Sequence, residues 1–416
     1  MSRRRFELAN ILRIKSAIFA KKHKKANKKY YICIHNHICK MKVSAFKSGK
    51  WVNQYQYKSF LPETINHAWT IDDDRMNLLL SQAAMHLGEL NAFSSLIPDV
   101  DIFIKMHVQK EAMNSSRIEG TRTNIEESLN KEENIDPEKR NDWQEVRNYV
   151  NAMNAFVMSL NKLPLSGRLM KQTHKVLMKG VRGEAKNPGE FRSSQNWIGG
   201  RSIKDAVFVP PHPHDLPDLI SDLETFMNNN RLSVPELIKA GIAHYQFETI
   251  HPFLDGNGRV GRLLITLQLV SHGLLQKPTL YLSDYFEKNR SEYYSRLSKV
   301  RTDNDLNGWL MFFLEGVRQT SADSAQTFRK IIELRKKTEK KLMKPKKASK
   351  SAFALHDFMY RIPVFEAQDV ADELGVNIST AYRMTEQFMK FGILEESTGF
   401  KRNRVFVFRP YIDLFR

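Results

Sequence analysis

The sequence predicts a mainly α-helical protein that ends in a small unit of helices and a β-hairpin. Three observations carry this expectation. Apolar residues recur at helical spacing from residue 73 onward, strand-favouring runs are scarce in the middle, and residues 348–416 alternate short helical patterns with two β-favouring runs.

Asp72–Asp74 mark a helix start, with Leu78, Leu79, Ala83 and Leu87 behind them. Residues 103–118 continue helically into Ser115-Ser116-Arg117-Ile118-Glu119-Gly120, where Gly120 is a C-terminal stop. Amphipathic helices are expected over 143–161 and 166–180. Asn196–Gly200 followed by Asp205–Val209 reads as a hairpin around a glycine-containing connection, ended by Pro210, Pro211 and Pro213. Helices resume at 215–229 and 235–249. From Lys330 a basic helix runs into a linker at Pro345. Beyond it, 352–360 and 366–374 are helical, the second stopping at Gly375. Asn377 or Ser379 caps a third helix through Phe391, and 393–396 pairs with 405–408. That order is the order of a winged helix.

A chain of 416 residues accommodates two or three domains. Its net charge of +19 is carried by two segments: residues 1–40 hold 12 Lys/Arg against 1 acid, and 329–347 hold 10 against 2. The remainder is balanced, so the excess is local rather than a property of the body. Both cysteines, Cys33 and Cys39, lie in the first segment, which leaves the rest without a disulfide and suits a reducing, cytoplasmic setting. No apolar run is long enough to span a membrane. Cys33, His35, His37 and Cys39 share one strand face, but their spacing departs from that of the common zinc modules. Residues 1–40 are expected to be a disordered extension or to precede a natural start at Met41.

The densest chemistry lies in HPFLDGNGRVGR, residues 251–262. Gly256, Gly258 and Gly261 match G-x-G-x-x-G, but a dinucleotide fold needs a strand before that motif. Here Ile238, Ile242, Tyr245 and Thr249 give a helix before it, and Leu263–Val270 give another after it. A glycine-rich loop between two helices is instead an anion site, built from backbone N–H groups and the dipole of the second helix. Arg259 and Arg262 suit a polyphosphate, Asp255 suits Mg²⁺, and His251 can move a proton near neutral pH. Asn257 tolerates left-handed geometry and has an amide to donate.

The stretch matches H-x-F-x-[DE]-G-N-G-R-x-x-R at every specified position, and the chain from about Met41 resembles the Fic family. The similarity includes GEFRSSQNWIGG…DAVFVPPHP at 189–213 and LYLSDYFEKNRSEYY at 280–294. The resemblance implies a Fic-type helical bundle with a β-hairpin flap and a C-terminal winged-helix domain. It implies AMP transfer from ATP to a Tyr, Thr or Ser hydroxyl of a protein. His251 would be the general base and Asp255 the Mg²⁺ ligand. Gly256, Asn257 and Gly258 would cradle phosphate, Arg259 and Arg262 would orient the β- and γ-phosphates, and Val260 and Gly261 would complete the ATP-binding stretch. Phe253 would anchor the loop, while Asn289 and Tyr293 would line the adenine pocket, with packing in the helix core as the alternative for Tyr293. The intact Gly258-Arg259 separates the chain from Doc-like relatives, which carry a lysine-containing version and transfer phosphate.

Ser115-x-x-x-Glu119-Gly120 resembles the family's inhibitory motif, which implies that Glu119 pairs with Arg262 where the γ-phosphate would lie. Whether Glu119 also supports AMP removal stays open. The expected organisation is a basic extension (1–40), a helical region with the inhibitory helix (41–135), a Fic core (136–328), a basic helix and linker (329–347) and a winged helix (348–416). The alternative function is a DNA-binding regulator in which the Fic core senses a nucleotide or removes AMP. Against it, residues 348–416 hold 9 basic and 9 acidic residues, with Arg383 and Lys390 on the third helix and Lys401, Arg402 and Arg404 at the wing. Self-modification and homodimer formation complete the expected partners.

Overall fold

A computed structural model describes residues 40–96, 100–343, 350–399 and 403–416. The expected extension 1–40 lies outside them except for Lys40, as do Pro345 of the linker and Lys401 and Arg402 of the wing.

The described chain opens with short strands that the sequence reading did not anticipate. β1 (Met41–Lys42) pairs in parallel with β4 (Trp69–Thr70), and between them β2 (Gly49–Asn53) and β3 (Lys58–Pro62) form an antiparallel hairpin. α1 (Asp74–Leu96) starts where the acidic run predicted, with the Asp73 carboxylate accepting from the backbone N–H groups of Arg75 (2.8 Å) and Met76 (3.1 Å). α2 (Val100–Ile118) and the one-turn α3 (Ile125–Leu129) follow. Asn124 and Glu127 close a reciprocal cap at the start of α3.

α4 (Arg140–Ser159), α5 (Gly167–Leu177) and α6 (Leu216–Asn228) correspond to the three expected amphipathic helices. The expected hairpin at 196–209 is instead a looped segment with one antiparallel bridge, Ile198 to Phe208. The reason is local: Asp205 accepts from the backbone N–H groups of Arg201 (2.8 Å) and Ser202 (2.7 Å), which curls the connection out of strand geometry.

α7 (Glu236–Ile250) and α8 (Asn257–Ser271) are buried around nearly their whole circumference, polar side chains such as His244, Glu248, Arg259 and Arg262 included. α9 (Leu282–Lys288) and α10 (Arg290–Asp303) cover one end. α11 (Leu306–Met343) then runs the length of the body against α1, and its Trp309 donates to Gly241 O of α7 (2.8 Å).

The last unit comprises α12 (Lys350–Arg361), β5 (Val364–Glu366), α13 (Ala367–Leu374), α14 (Ile378–Lys390), β6 (Glu395–Glu396), β7 (Val405–Val407) and α15 (Arg409–Ile412). Asn377 caps α14 by accepting from Thr380 N (2.8 Å). The sheet order is β5-β7-β6, all antiparallel, so the expected hairpin gains a third strand. The second helix begins one residue later than expected because Glu366 still belongs to β5.

This unit packs directly on α2. The rings of Phe103 and Tyr360 meet edge-on at 5.6 Å, and His107 lies stacked on Phe328 at 4.3 Å and edge-on to Phe415 at 5.1 Å. Arg409 pairs with Glu126, and Lys131 pairs with Asp369 at 2.8 Å. One continuous apolar core therefore runs from Val43 to Phe415.

Candidate active site

α7 ends at Ile250, and His251 turns the chain in the left-handed region (φ 50°, ψ 59°). Gly256 (φ 74°) turns it again and serves as the N-cap of α8. Phe253 holds the loop between these turns. It is fully buried, stacked on His174 at 3.9 Å and packed by Phe191 at 5.2 Å.

Asn257 closes the loop as the two edges of a clamp. Its Oδ1 accepts from Phe253 N (2.8 Å) and its Nδ2 donates to Phe253 O (2.8 Å). The side-chain amide is thus consumed inside the loop, contrary to the sequence expectation that it could donate to a ligand oxygen. What Asn257, Gly258 and Arg259 offer an anion is their backbone N–H groups, which open the first turn of α8 without intrahelical acceptors.

His174 supports the loop from α5. Its Nδ1 accepts from Gly189 N (2.8 Å), so the proton sits on Nε2, which donates to Asp255 O (3.0 Å). Burial pushes this imidazole down to about 4 and keeps it neutral. Asp255 itself keeps about a third of its side chain exposed (36%), with Oδ1 on Gly256 N (2.7 Å) and Oδ2 near Lys186 Nζ (3.3 Å). Among the described residues no cluster of three or more His, Cys, Asp or Glu could cage a metal. A lone carboxylate at the mouth of an anion loop does fit Mg²⁺, which keeps waters and takes substrate phosphate oxygens as its other ligands.

The His251 ring has Nδ1 3.3 Å from Glu248 O, so a proton on Nδ1 leaves the lone pair on Nε2. Burial pushes the ring down to about 4, and the nearby Arg192 cation adds to the effect. His251 is therefore neutral near pH 7, the state a proton acceptor requires.

The two arginines of the loop diverge. Arg262 turns to α2, where Nη2 meets Glu119 Oε1 at 2.6 Å and Ser115 O at 2.9 Å while Nε donates to Ser115 Oγ at 2.9 Å. Its guanidinium is sealed (2% exposed), whereas a third of the Glu119 side chain (34%) still reaches solvent. Burial opposes ionisation of Glu119, but Arg262 outweighs it and holds the carboxyl below its usual range. The Glu119 carboxylate also lies against Gly258, where a Cβ would fall 2.2 Å from Oε1. Arg259 turns the other way and is consumed by Glu145 of α4 at 3.0 Å, both side chains being nearly sealed. At i and i+3 the arginines are neighbours on the helix surface, and they diverge because each is claimed by a different carboxylate.

Tyr293 takes the core-packing alternative. Its ring is 1% exposed and stacked on Phe286 at 4.6 Å, and its hydroxyl bonds to His244 Nε2 at 2.8 Å. The chain Tyr293–His244–Gly261 O, closed by His244 Nδ1 at 3.1 Å, props up α8 from within the core. The adjacent Tyr294 is the outward ring, 42% exposed and flanked by Arg290. Asn289 Nδ2 donates to Tyr285 O (2.9 Å) at the junction of α9 and α10.

Several groups here carried no signal of their own in the sequence. Arg192 sits in the quoted GEFR run, yet nothing local shows that its guanidinium would donate to His251 O (3.0 Å), Pro211 O (2.6 Å) and Ser194 O (3.3 Å). Asn196 Nδ2 reaches Phe253 O (2.8 Å) and so ties the flap-like segment to the same loop. Glu248 is 8% exposed, its Oε1 lacks a hydrogen-bond partner among the described residues, and burial pushes it up to about 7.

Together these features define a helix–loop–helix anion site with a neutral histidine at its head and a carboxylate of a neighbouring helix pressed against its arginine. Residues 77–157 match the family model described as Fic/DOC family N-terminal, and residues 164–269 match the one described as Fic/DOC family. The chain carries Fic/DOC family domains over these segments. It is similar to the protein adenylyltransferase Fic of Drosophila erecta (33% identity) and to that of Aedes aegypti (34%). Each match covers 133 residues, 32% of this chain and 24% of the relative. The matched region thus spans about a quarter of those relatives' length. A Fic family protein from Desulfovibrio desulfuricans G20 shares the fold, with a TM-score of 0.53 at 20% identity over 82% of this chain and 97% of that one.

Proposed function

We propose that this protein is a protein adenylyltransferase that moves AMP from ATP to a Tyr, Thr or Ser hydroxyl of a protein. The observation that carries this reading is a neutral His251 across a short loop from the open N-terminus of α8. In the proposed reaction His251 Nε2 takes the hydroxyl proton while the hydroxyl oxygen bonds to the α-phosphorus. The bond from that phosphorus to the bridging oxygen breaks, and pyrophosphate leaves. Backbone N–H groups at 257–259 receive phosphate oxygens, and Arg262 supplies the cation for the outer phosphates. Mg²⁺, held by Asp255, would neutralise phosphate charge there. The similarity to relatives named protein adenylyltransferase supports the choice of AMP as the transferred group.

The Glu119–Arg262 contact supports autoinhibition by α2, because a carboxylate already occupies the cation that an outer phosphate would need. The test is transfer from α- and γ-labelled ATP by the parent chain, Glu119→Gly and His251→Ala. Protein-bound α-label that rises about tenfold or more in Glu119→Gly and is lost in His251→Ala is the expected result, since losing a positioned base costs about 10²- to 10⁴-fold. Label from the γ-position alone would reject nucleotidyl transfer. Equal labelling by Glu119→Gly and the parent would reject autoinhibition.

The element order of residues 350–416 supports a winged-helix reading, and the bridged segment 196–209 supports a flap reading. We read the winged unit as a protein-facing module rather than a DNA reader. Arg404 lies 3.6 Å from Glu386, and Arg409 is engaged by Glu126 and Glu395, so these cations are neutralised within the protein. Salt-sensitive binding of duplex DNA by the full chain, lost on Arg383→Glu, would favour the regulator instead.

A further inference from the structure

The β2–β3 hairpin and the segment 196–209 enclose a cleft of about 670 Å³ that the reaction chemistry does not use. The two are joined as a continuous surface. Phe60 N donates to Val209 O (2.9 Å), Tyr57 Oη lies 3.4 Å from Gln195 Oε1, and Trp51 packs on Phe60 (5.2 Å) and Phe208 (6.1 Å).

This surface is unusually apolar for an exposed one. Trp51 (46% exposed), Tyr55 (98%), Trp197 (42%) and Val207 (77%) are four of the eleven large exposed hydrophobic side chains among the described residues. Such aromatic concentrations mark protein contacts. Its charge is net positive as well. Lys58 and Lys204 line the cleft, Arg201 stands on the same loop, and none of them forms a salt bridge among the described residues. The acid beside them, Asp205, is engaged by the N–H groups of Arg201 and Ser202 and by the Ser202 hydroxyl. Asp205 stays ionised, so Lys58, Lys204 and Arg201 outnumber it and leave a net positive surface beside the exposed Trp51, which favours negative charge in what docks there.

Position connects the cleft to the site. The far end of the same segment is tied to the loop through Asn196, whose Nδ2 lies 2.8 Å from Phe253 O and 3.3 Å from His251 O. The segment that walls the cleft is thus also bonded to the His251 loop. The geometry points to this cleft as the docking surface for an acidic segment of the protein to be modified, lying next to the hydroxyl residue that accepts AMP. The inference rests on the transfer reading and adds to it the class of target.

The test uses the full chain carrying His251→Ala, so that binding is read without transfer, with fluorescein-labelled random Glu–Tyr and Lys–Tyr copolymers as probes. The Glu–Tyr copolymer is expected to bind and the Lys–Tyr copolymer to bind at least about tenfold more weakly. Lys58→Glu with Lys204→Glu should weaken Glu–Tyr binding about tenfold, and Trp51→Ala should weaken it too. A matched reversal at Lys336 and Lys337, in the basic stretch of α11, should weaken it clearly less. Thermal melts of each variant report that the fold persists. Equal binding of the two copolymers, or equal losses from the two reversals, overturns the docking surface. Transfer is then read with α-labelled ATP in Glu119→Gly. Copolymer that binds as expected but takes no label overturns the transfer reading and leaves the docking surface standing, whereas labelling indifferent to reversal at Lys58 and Lys204 overturns the docking surface alone.

Discussion

Among the described residues Arg192 has no carboxylate partner, and its buried guanidinium is spent on backbone carbonyls that include His251 O at the C-terminal end of α7. A cation there suits the helix dipole, and it holds a non-glycine residue in the left-handed region that would otherwise be strained. The same charge keeps the His251 imidazole unprotonated, adding to the larger effect of burial. With the folded midpoint near 4 and the ordinary value at 6.5, the unfolded chain binds this proton more readily between those pH values. Stability from this group is therefore present above pH 6.5 and lost as pH falls toward 4. In Arg192→Met the His251 midpoint, followed by NMR, should rise by about half to one unit, and the acid limb of transfer should rise with it. Arg192→Lys should recover part of the shift. An unmoved midpoint would reduce Arg192 to a packing role.

At the scale of the element, α2 is seated by polar contacts as much as by apolar ones. Glu111, two turns before Glu119, is buried, and burial raises its pKa. It accepts from Ser283 N (2.9 Å), the Ser283 hydroxyl and Tyr149 Oη (3.2 Å), which pins α2 to the start of α9 and to α4. Glu111→Ala would leave those donors without a partner, at a cost on the order of 2–4 kcal/mol. Hydrogen exchange should then quicken along α2 while α7 stays protected, and basal transfer should rise toward that of Glu119→Gly. Uniform quickening of both helices would mean that α2 is not separately seated. Helix existence was legible here because apolar periodicity is local. The seating was not, since Glu111 and Ser283 are 172 residues apart.

For the whole molecule, the terminal unit (residues 350–416) shares its core with the rest through Phe103, His107, Tyr360 and Phe415. Continuous cores unfold together. Calorimetry should therefore record a single endotherm for the chain, and two resolved endotherms would show that residues 350–416 fold apart. Because Phe103 and His107 lie on α2, the helix that leads into the Glu119 turn is held between the body and the terminal unit. The sequence reading had divided the chain at 329–347, following composition, whereas the packing runs across that boundary.

The sequence by itself determined the helical class, the places where most helices start and stop, and the glycine-rich loop between two helices that carries His251 and Asp255. That information is compact: caps, glycines and the twelve residues 251–262 act on their immediate neighbours. Tertiary structure alone decided that Arg259 goes to Glu145 and Arg262 to Glu119, that Tyr293 is a prop while Tyr294 faces outward, and that the Asn257 amide closes the loop. It also decided the β2–β3 hairpin and the added strand β5. Each of these depends on which partner arrives from elsewhere in the chain, and a side chain's final partner is chosen by packing rather than by its own neighbourhood.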